Sequence, residues 1–251
     1  TACADSDEDG VCDVDDLCPG YSDLPDVNNN GLPDNCEPIS LNIKAFLEGA
    51  YETGTNEMTT DLSSQGLLSV SHPYTIAPYN MSPQNASTIP FGTVDWVIVE
   101  VRTGVQPSDE FTSKMGFLMA NGQVKDLNGV SDLQFDLPPN QDYYVVLRHR
   151  NHLDVISAQP LARSLNMAID FTANVNNALG NQAQKLASDG QAVLFSGDLD
   201  HNHVIQTTDY DKWALDPAQV AVYQMTDLNL DGIVQTTDFD LWFNNKSKIG
   251  V

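Results

Sequence analysis

The sequence has few basic residues and no apolar run of transmembrane length, and each shortage excludes a class of protein. Lysine and arginine number 11 against 35 acidic residues, which gives a net charge of −24 at pH 7 in 251 residues. Such a chain is not expected to bind nucleic acid through phosphate contacts, and an anionic membrane surface would repel it. Without a long apolar run, no membrane span is expected.

The acidic residues concentrate at the two ends of the chain. Residues 1–37 hold eleven acids and no lysine or arginine, and residues 197–251 hold nine acids and three lysines. Carboxylates at this density repel one another unless a cation lies among them, and hard dications prefer oxygen ligands. The distribution therefore favours metal binding at both ends over simple solubility.

All four cysteines, Cys3, Cys12, Cys18 and Cys36, lie in the first 36 residues. An even number in a segment with little apolar content indicates a disulfide framework and an oxidising compartment. A four-cysteine zinc site is the alternative, but the aspartates between the cysteines favour a harder cation. The chain begins at Thr1 and shows no signal peptide, so we expect a mature, processed, extracellular or cell-surface protein.

Composition divides the chain into residues 1–38, 39–196 and 197–251. The first region has almost no large apolar side chains and is expected to lack a core. Short apolar runs separated by proline and glycine predict a mainly β middle region of the β-sandwich or jelly-roll type. The candidate strands are Ser40–Phe46, Val94–Val101, Met115–Met119, Val124–Leu127, Tyr143–Arg150, Met167–Thr172 and Ala192–Phe195. One helix is predicted near Asn174–Ser188.

Four windows share one ligand spacing, that of an EF-hand-type loop with ligands at positions 1, 3, 5, 7, 9 and 12. At these positions the first has Asp5, Asp7, Asp9, Val11, Asp13 and Asp16, and the second has Asp26, Asn28, Asn30, Leu32, Asp34 and Glu37. The third has Asp198, Asp200, Asn202, Val204, Gln206 and Asp209, and the fourth has Asp227, Asn229, Asp231, Ile233, Gln235 and Asp238. One such window is often a surface turn. Four windows predict up to four Ca²⁺ ions. These ions would lie in two end segments that flank the body and carry little core. The C-terminal segment is also expected to contain short helices.

Position 6 of such a loop needs a sharp turn that suits glycine. It is glycine in three windows and His203 in the third, so we expect the third to bind most weakly. His201 and His203 are expected to be exposed loop residues rather than ligands. The last two windows belong to a repeat at an offset of 29 residues that continues through Trp213 and Trp242, which favours packing between the loops over stacking on sugars.

Residues 1–37 resemble bacterial thrombospondin type 3 repeats, through the runs Asp5–Pro19 and Asp26–Cys36. In that family the chain wraps around calcium and neighbouring cysteines bond, which implies disulfides Cys3–Cys12 and Cys18–Cys36. Residues 197–245 are similar to a dockerin-like paired calcium module.

The dockerin likeness implies that the threonine pairs at loop positions 10 and 11, Thr207-Thr208 and Thr236-Thr237, lie where such modules recognise a partner. This chain departs from that family after the second loop, where only a short stretch follows. In the middle region, Phe46–Tyr51, Val94–Arg102 and Tyr143–Leu153 resemble a domain of large secreted proteins of Bacteroidota-type bacteria, in which it commonly precedes such a tail.

No nucleophile motif, phosphate loop, dinucleotide fingerprint or zinc-protease motif is present, so no enzyme activity is expected. The strongest catalytic candidate is the run 148–152. On a continuous strand its two histidines, His149 and His152, would point to opposite faces and could not share a metal. Asp95 and Glu100 would also face opposite ways, which argues against a catalytic carboxylate pair.

These features predict a calcium-stabilised structural or adhesive extracellular protein, such as a repeating subunit of a cell-surface filament or stalk. Its expected partners are identical copies of itself or another surface protein. The alternative is a binding module of a larger secreted protein, acting by dockerin-like docking or carbohydrate binding, and a hydrolase is the least favoured. Sequons at Asn80, Asn85 and Asn245 add a minor hypothesis of glycan attachment.

Overall fold

The computed structural model of the chain describes residues 3–181, 183–216 and 218–250. The strands are β1 Ile39–Lys44, β2 Tyr51–Glu52, β3 Glu57–Met58, β4 Thr93–Arg102, β5 Phe111–Met119, β6 Val124–Lys125, β7 Leu133–Phe135, β8 Asp142–His149, β9 His152–Ile156, β10 Leu161–Ala162, β11 Asn166–Asp170, β12 Lys185–Leu186, β13 Ala192–Val193, β14 Gln219–Val220 and β15 Ile233–Val234. The helices are α1 Asp61–Ser64, α2 Thr207–Leu215 and α3 Thr236–Asn245, with a 3-10 turn at Val175–Asn177. The fold is mainly β, as predicted.

The central region is a sandwich of two sheets. The larger sheet has the order β10-β8-β4-β5-β6, with β9 also paired to β8, and the smaller has the order β11-β1-β7. The strand β1 runs parallel to β11 and antiparallel to β7. Its side chains alternate between buried and half-buried, as a strand with one core face requires, whereas the central strand β4 is buried on both faces. Apolar residues of both sheets share one core.

The predicted strands are present, several of them with shorter bounds, and the hairpin predicted between Met119 and Val124 joins β5 to β6. The helix predicted over Asn174–Ser188 is wrong in the described part of that segment, which holds only the 3-10 turn and β12; residue 182 lies outside the described residues. Asparagine side chains explain the difference. Asn174 accepts the N–H of Asn176 at 2.9 Å and Asn177 donates to the carbonyl of Asp170 at 2.7 Å, so local bonds replace those of a helix.

The Pro-rich segment 74–90 has no helix or regular strand and covers the outer face of β4 and β5. Tyr74 and Ala86 from this segment are buried against Trp96 and Phe117 of the sheet. The Tyr74 hydroxyl donates to the carbonyl of Trp96 at 2.6 Å. The segment is therefore a cover for the sheet, which explains how β4 is buried on both sides.

The N-terminal segment is held by disulfides and by one arginine of the body. The bonds Cys3–Cys12 and Cys18–Cys36 are the pairings that the resemblance implies. Apolar side chains such as Val14 remain exposed, so the described part of this segment has no core. Its link to the body is Arg163, whose guanidinium donates to the carbonyls of residues 34, 35 and 37 at 3.0, 3.2 and 3.0 Å and to that of Leu137 at 2.9 Å.

The C-terminal segment, in contrast, buries apolar side chains together with the body. Leu199, Ile205, Leu228 and Trp242 form one cluster with Leu153 and Phe195 of the sandwich. The body also approaches the segment backbone closely at Gly49, where a Cβ atom would lie 2.1 Å from the carbonyl oxygen of Leu228. Only glycine fits there. In the described residues, no helix combines the length and apolar character needed to cross a bilayer.

A buried polar cluster joins the β8–β9 turn to the C-terminal segment. Because the chain reverses at residues 150 and 151, His149 faces His152, with their Nδ1 atoms 2.9 Å apart. The prediction that they lie on opposite faces is therefore wrong. Asp95 accepts bonds from Arg150 at 2.8 Å and from the hydroxyl of Tyr223 at 2.6 Å, and its Oδ2 lies 3.2 Å from Nε2 of His149.

Burial sets the charge states of this cluster. It opposes ionisation of Asp95, but Arg150, His149 and Tyr223 outweigh it and lower the pKa of the carboxyl. Burial lowers the pKa of His149, and burial together with His149 and Arg150 lowers the pKa of His152 further. Both histidines are therefore neutral at pH 7.

Removing Arg163 should release the N-terminal segment while the sandwich stays folded. Hydrogen bonds from a charged donor contribute about 2 kcal/mol, so Arg163→Ala should raise amide exchange of residues 26–37 roughly 30-fold. Hydrogen exchange followed by mass spectrometry checks this, with Lys212→Ala, an exposed lysine on α2, as the charge-matched control. Equal exchange in both variants would show that Arg163 does not anchor the segment.

Acid should weaken the junction at His149 and His152. Because their pKa values are lower in the folded state, the unfolded chain binds more protons as the pH falls below about 6.5, the unperturbed value, and stability is lost in that direction. The slope is at most about 1.4 kcal/mol per pH unit for each histidine. Urea unfolding between pH 7.5 and 5 should therefore show a shallower loss in His152→Gln than in the parent chain. Identical slopes would contradict this assignment.

Candidate metal centres

The four predicted loops share one backbone conformation. Position 6 has a positive φ in each, at Gly10 (97°), Gly31 (88°), His203 (66°) and Gly232 (81°). Position 4 also has a positive φ in each, at Glu8 (61°), Asn29 (55°), His201 (58°) and Leu230 (62°). The sequence pattern indicated only position 6, because the residues at position 4 have no type in common. Two left-handed residues per loop turn the backbone sharply at positions 4 and 6.

Side-chain hydrogen bonds repeat in the same way. The position 1 carboxylate accepts the position 6 N–H in every loop, at 3.1, 3.0, 3.2 and 2.9 Å in chain order. The position 5 side chain accepts the position 7 N–H, at 2.8, 2.8, 2.9 and 2.8 Å. These bonds fix the backbone at Val11, Leu32, Val204 and Ile233, the residues predicted to offer a carbonyl oxygen.

The first loop brings three carboxylates together. Oxygens of Asp5, Asp7 and Asp9 lie within 4.8 Å of one another, and Oδ1 of Asp5 is buried without a hydrogen-bond partner. Asp13, at position 9, instead accepts the N–H and hydroxyl of Ser6 at 2.7 and 2.9 Å. At position 12, Asp16 accepts the N–H of residue 18 at 2.7 Å.

Asp23 is a candidate that the twelve-residue spacing missed. Its N–H donates to Asp9 at 2.7 Å, and its own Oδ1 is buried without a partner. Desolvation and the carboxylates of Asp7, Asp23 and Asp9 raise the pKa of Asp16. Asp23 therefore adds to the negative potential of the first loop from outside its window.

In the second loop, amide groups relieve the crowding. Glu37 at position 12 accepts bonds from the side chains of Asn28, at 3.0 Å, and Asn30. Asp26 accepts the N–H groups of Asn30 and residue 31. Asp34 at position 9 accepts the N–H of residue 27 at 3.2 Å. Positions 1, 3, 5 and 12 are thus linked by hydrogen bonds, with the amide nitrogens of Asn28 and Asn30 directed at Glu37.

The third loop also brings three carboxylates together. Oxygens of Asp198, Asp200 and Asp209 lie within 4.8 Å of one another. Asp198 is 1% exposed, and its Oδ1 has no hydrogen-bond partner. Burial, with the charges of Asp154 and Asp209, raises the pKa of Asp198 to about 7. An orphaned, buried carboxylate oxygen beside two further carboxylates fits a hard dication with oxygen ligands.

The fourth loop is its near copy. Asp227 is fully buried, and burial raises the pKa of its carboxyl to about 7, with further increases from Asp238 and Asp231. Asn229 donates to Asp231 at 2.9 Å, as does Gln235 at 3.2 Å. Asp227, Asp231 and Asp238 offer carboxylate oxygens in this loop, whereas Asn229 and Gln235 direct their amide nitrogens at Asp231.

Positions 9 and 12 of the last two loops begin the helices. Asp209 accepts the N–H of Gln206 at 2.8 Å and Asp238 that of Gln235 at 2.8 Å, so each aspartate bonds to the residue before α2 or α3. Asp209 and Asp238 each accept two more N–H groups from positions 2 and 3 of their loops. Burial raises the pKa of both carboxyls. The side chain of Gln206 is exposed in the described structure.

The two loop histidines are half-buried rather than exposed, contrary to the prediction. The hydroxyl of Tyr79 lies 2.9 Å from Nδ1 of His201, and Nδ1 of His203 lies 3.6 Å from Oδ2 of Asp154. Both side chains turn toward the body because the third loop lies against it.

The recurring aromatic residues of the repeat pack against one another, as predicted. The ring centroids of Tyr210 in α2 and Trp242 in α3 are 5.2 Å apart.

The charged residues of the central sheet form ion pairs. Glu100 accepts bonds from Arg102 and Arg148, and Asp154 contacts Arg148. Glu100 thus lies in a different ion-pair group from Asp95, consistent with opposite faces of β4.

The three sequons differ in exposure. Asn80 and Asn85 are exposed, whereas Asn245 is 1% exposed and bonded to Ser196, so it cannot accept a glycan in the folded chain.

No protein-family model matches the sequence, and comparison with curated proteins finds no match. Among solved structures, two mutant type II cohesin–X-dockerin complexes from Acetivibrio cellulolyticus are similar at 11% identity, covering 84% of this chain and 97% of theirs. One carries a C-terminal and the other an N-terminal interface mutation, and their TM-scores are 0.43 and 0.44.

Proposed function

We propose that this chain is an extracellular structural or adhesive protein whose two ends are braced by calcium in up to four loops. The observation that carries the proposal is the shared loop geometry. Each loop turns through two left-handed residues, and Asp5 and Asp198, each clustered with two further carboxylates, have a buried carboxylate oxygen without a hydrogen-bond partner. Such oxygens are stabilised by a hard dication.

An extracellular location agrees with the two disulfides, which persist in oxidising compartments. The carboxylates and acidic pattern of the loops suit the millimolar calcium found outside cells. The role is structural rather than signalling, because the loops are fixed to the sandwich through Arg163 at one end and Asn151 at the other.

Calcium should raise stability through the loops and a loop variant should remove part of that gain. Each ion that binds only the folded state contributes about 4 kcal/mol at 1,000 times its Kd. We expect Asp227→Asn to lower the number of bound ions by one and to reduce the stability gained from calcium. Native mass spectrometry counts the ions and thermal unfolding with and without chelator measures the gain.

Asp211→Asn is the matched control, because this exposed aspartate on α2 carries the same charge outside the ligand positions. The parent chain and the control should behave alike. Unfolding temperatures that do not respond to calcium in any of the three proteins would overturn the proposal.

Self-association is supported by the open edges of the smaller sheet. In the described residues β7 and β11 each pair on one side only, so their outer backbone groups can bind a strand of another copy. Calcium would act by ordering the ends that flank this sheet. The partner proposed here is a second copy of the chain.

We expect filaments or oligomers by electron microscopy and sedimentation in calcium, and their loss in chelator. Ala168→Lys adds a charge at an exposed position of β11 and should weaken assembly without unfolding the monomer. Ala214→Lys, at an exposed position of α2, is the control and should assemble normally.

The alternative is docking to a different surface protein, and one observation favours it. The threonine pairs Thr207-Thr208 and Thr236-Thr237 are exposed at the first turns of α2 and α3. A chain that remains monomeric with calcium bound, under the conditions above, would contradict self-assembly and favour this docking role.

A further inference from the structure

The 29-residue repeat of the C-terminal segment extends further than its sequence shows. The strand β14 follows α2, and residues 248–249 follow α3 at the equivalent place. The strand of the fourth loop, β15, pairs with β14 through Val220 and Ile233. The third loop pairs with the last residues of the chain through Val204 and Ile249. The segment after the helix of each repeat thus pairs with the loop of the other repeat. We call these two segments, β14 and residues 248–249, the exchanged strands.

Backbone hydrogen bonds tie these exchanged strands to the ligand-bearing part of each loop. Ile205 donates to the carbonyl of Lys248 at 2.9 Å and accepts from Ser247 at 2.7 Å, and Gly250 donates to the carbonyl of His203 at 2.7 Å. In the fourth loop, the carbonyl of Gly232 accepts the N–H of Val222 at 3.2 Å. These residues flank position 7, the predicted carbonyl ligand.

The exchanged strands continue from helices that begin at the opposite loop. The last residues follow α3, and α3 begins beside Asp238 of the fourth loop, while β14 follows α2 and hence Asp209 of the third. Trp242, in the second half of α3, donates to the carbonyl of Gln206 at 3.0 Å, which joins α3 to the residue before α2. An ordered third loop therefore holds the segment that follows the fourth loop and α3. In the same way, an ordered fourth loop holds β14, which follows the third loop and α2.

Asn151 of the body forms a second link between the two loops. It is fully buried, and its side-chain amide donates to the carbonyl of Asp227, position 1 of the fourth loop, at 2.7 Å. Its own carbonyl accepts the N–H of Gly197 at 2.8 Å, immediately before position 1 of the third loop. His152 fixes the amide orientation, with Nδ1 2.8 Å from Oδ1 of Asn151. One residue thus contacts the start of both loops.

We propose that the third and fourth loops take up their cations as one coupled pair, with the exchanged strands and Asn151 carrying the coupling. The inference rests on the proposed calcium function. The first cation orders backbone that the other loop also needs, so the second binds without repeating that cost in conformational entropy. The coupling is therefore positive, and it must act equally in both directions.

The test measures the affinity of each loop when the other is disabled, in the full chain. Asp227→Asn with Asp231→Asn disables the fourth loop, and Asp198→Asn with Asp200→Asn disables the third. Amide exchange of each intact loop is followed during a calcium titration, which gives a site-specific Kd. We expect the more weakly binding of the two loops to bind calcium about tenfold more weakly or worse once the other loop is disabled, because in the parent chain that other loop is already occupied when it fills.

Asp5→Asn with Asp7→Asn, in the first loop, is the control and should leave both C-terminal affinities unchanged. Asn151→Ala should reduce the coupling factor while both loops still bind. If that variant does not fold, Gly250→Pro replaces it, because proline removes the N–H donated to His203, and Gly250→Ala retains that N–H as its matched control.

The outcomes separate the two proposals. If both loops of the parent chain bind calcium and neither affinity changes when the other loop is disabled, the coupling is refuted and the calcium function stands. If neither loop of the parent chain binds calcium, the function itself fails and the coupling fails with it.

Discussion

Repulsion between crowded carboxylates is the constraint on which the ends of this structure depend. Oxygens of Asp198, Asp200 and Asp209 lie within 4.8 Å of one another, and Asp198 is buried. Two like charges at such distances cost about 3–4 kcal/mol at an effective dielectric constant of 20, more than a single hydrogen bond returns. The backbone N–H groups that surround these carboxylates therefore shape the loop but do not neutralise it, and a bound dication removes the conflict.

The two ends of the chain hold the backbone around their crowded carboxylates by different interactions. The N-terminal loops have no apolar cluster among their described residues, so two disulfides and Arg163 hold the backbone. The C-terminal loops bury Leu199, Leu228 and Trp242 against the body. This end consequently shares its core with the sandwich, and loop geometry there depends on residues as distant in sequence as Gly49.

The sequence predicted the local features of this protein better than its contacts. Ligand spacing and alternating apolar residues depend on neighbours along the chain, and the sandwich strands follow them. The opposition of His149 and His152 was missed because it requires the reversal at residues 150–151. The exchange of β14 and the last residues was missed because it joins positions about 13 and 45 residues apart. The helix predicted near Asn177 failed for a local reason instead, because hydrogen bonds of asparagine side chains replace those of a helix there.

At His203, contacts with the body and with the last residues of the chain hold the loop backbone in the conformation of the other three loops. A left-handed conformation costs a residue other than glycine about 1–2 kcal/mol, although histidine adopts it more readily than most. In the other three loops glycine avoids this cost at position 6. In the third, the imidazole packs toward Asp154 and the carbonyl of His203 accepts the N–H of Gly250, two contacts that hold the residue in this conformation. The departure from glycine therefore does not by itself imply a weak site, because the body and the last strand impose the turn that glycine would otherwise allow.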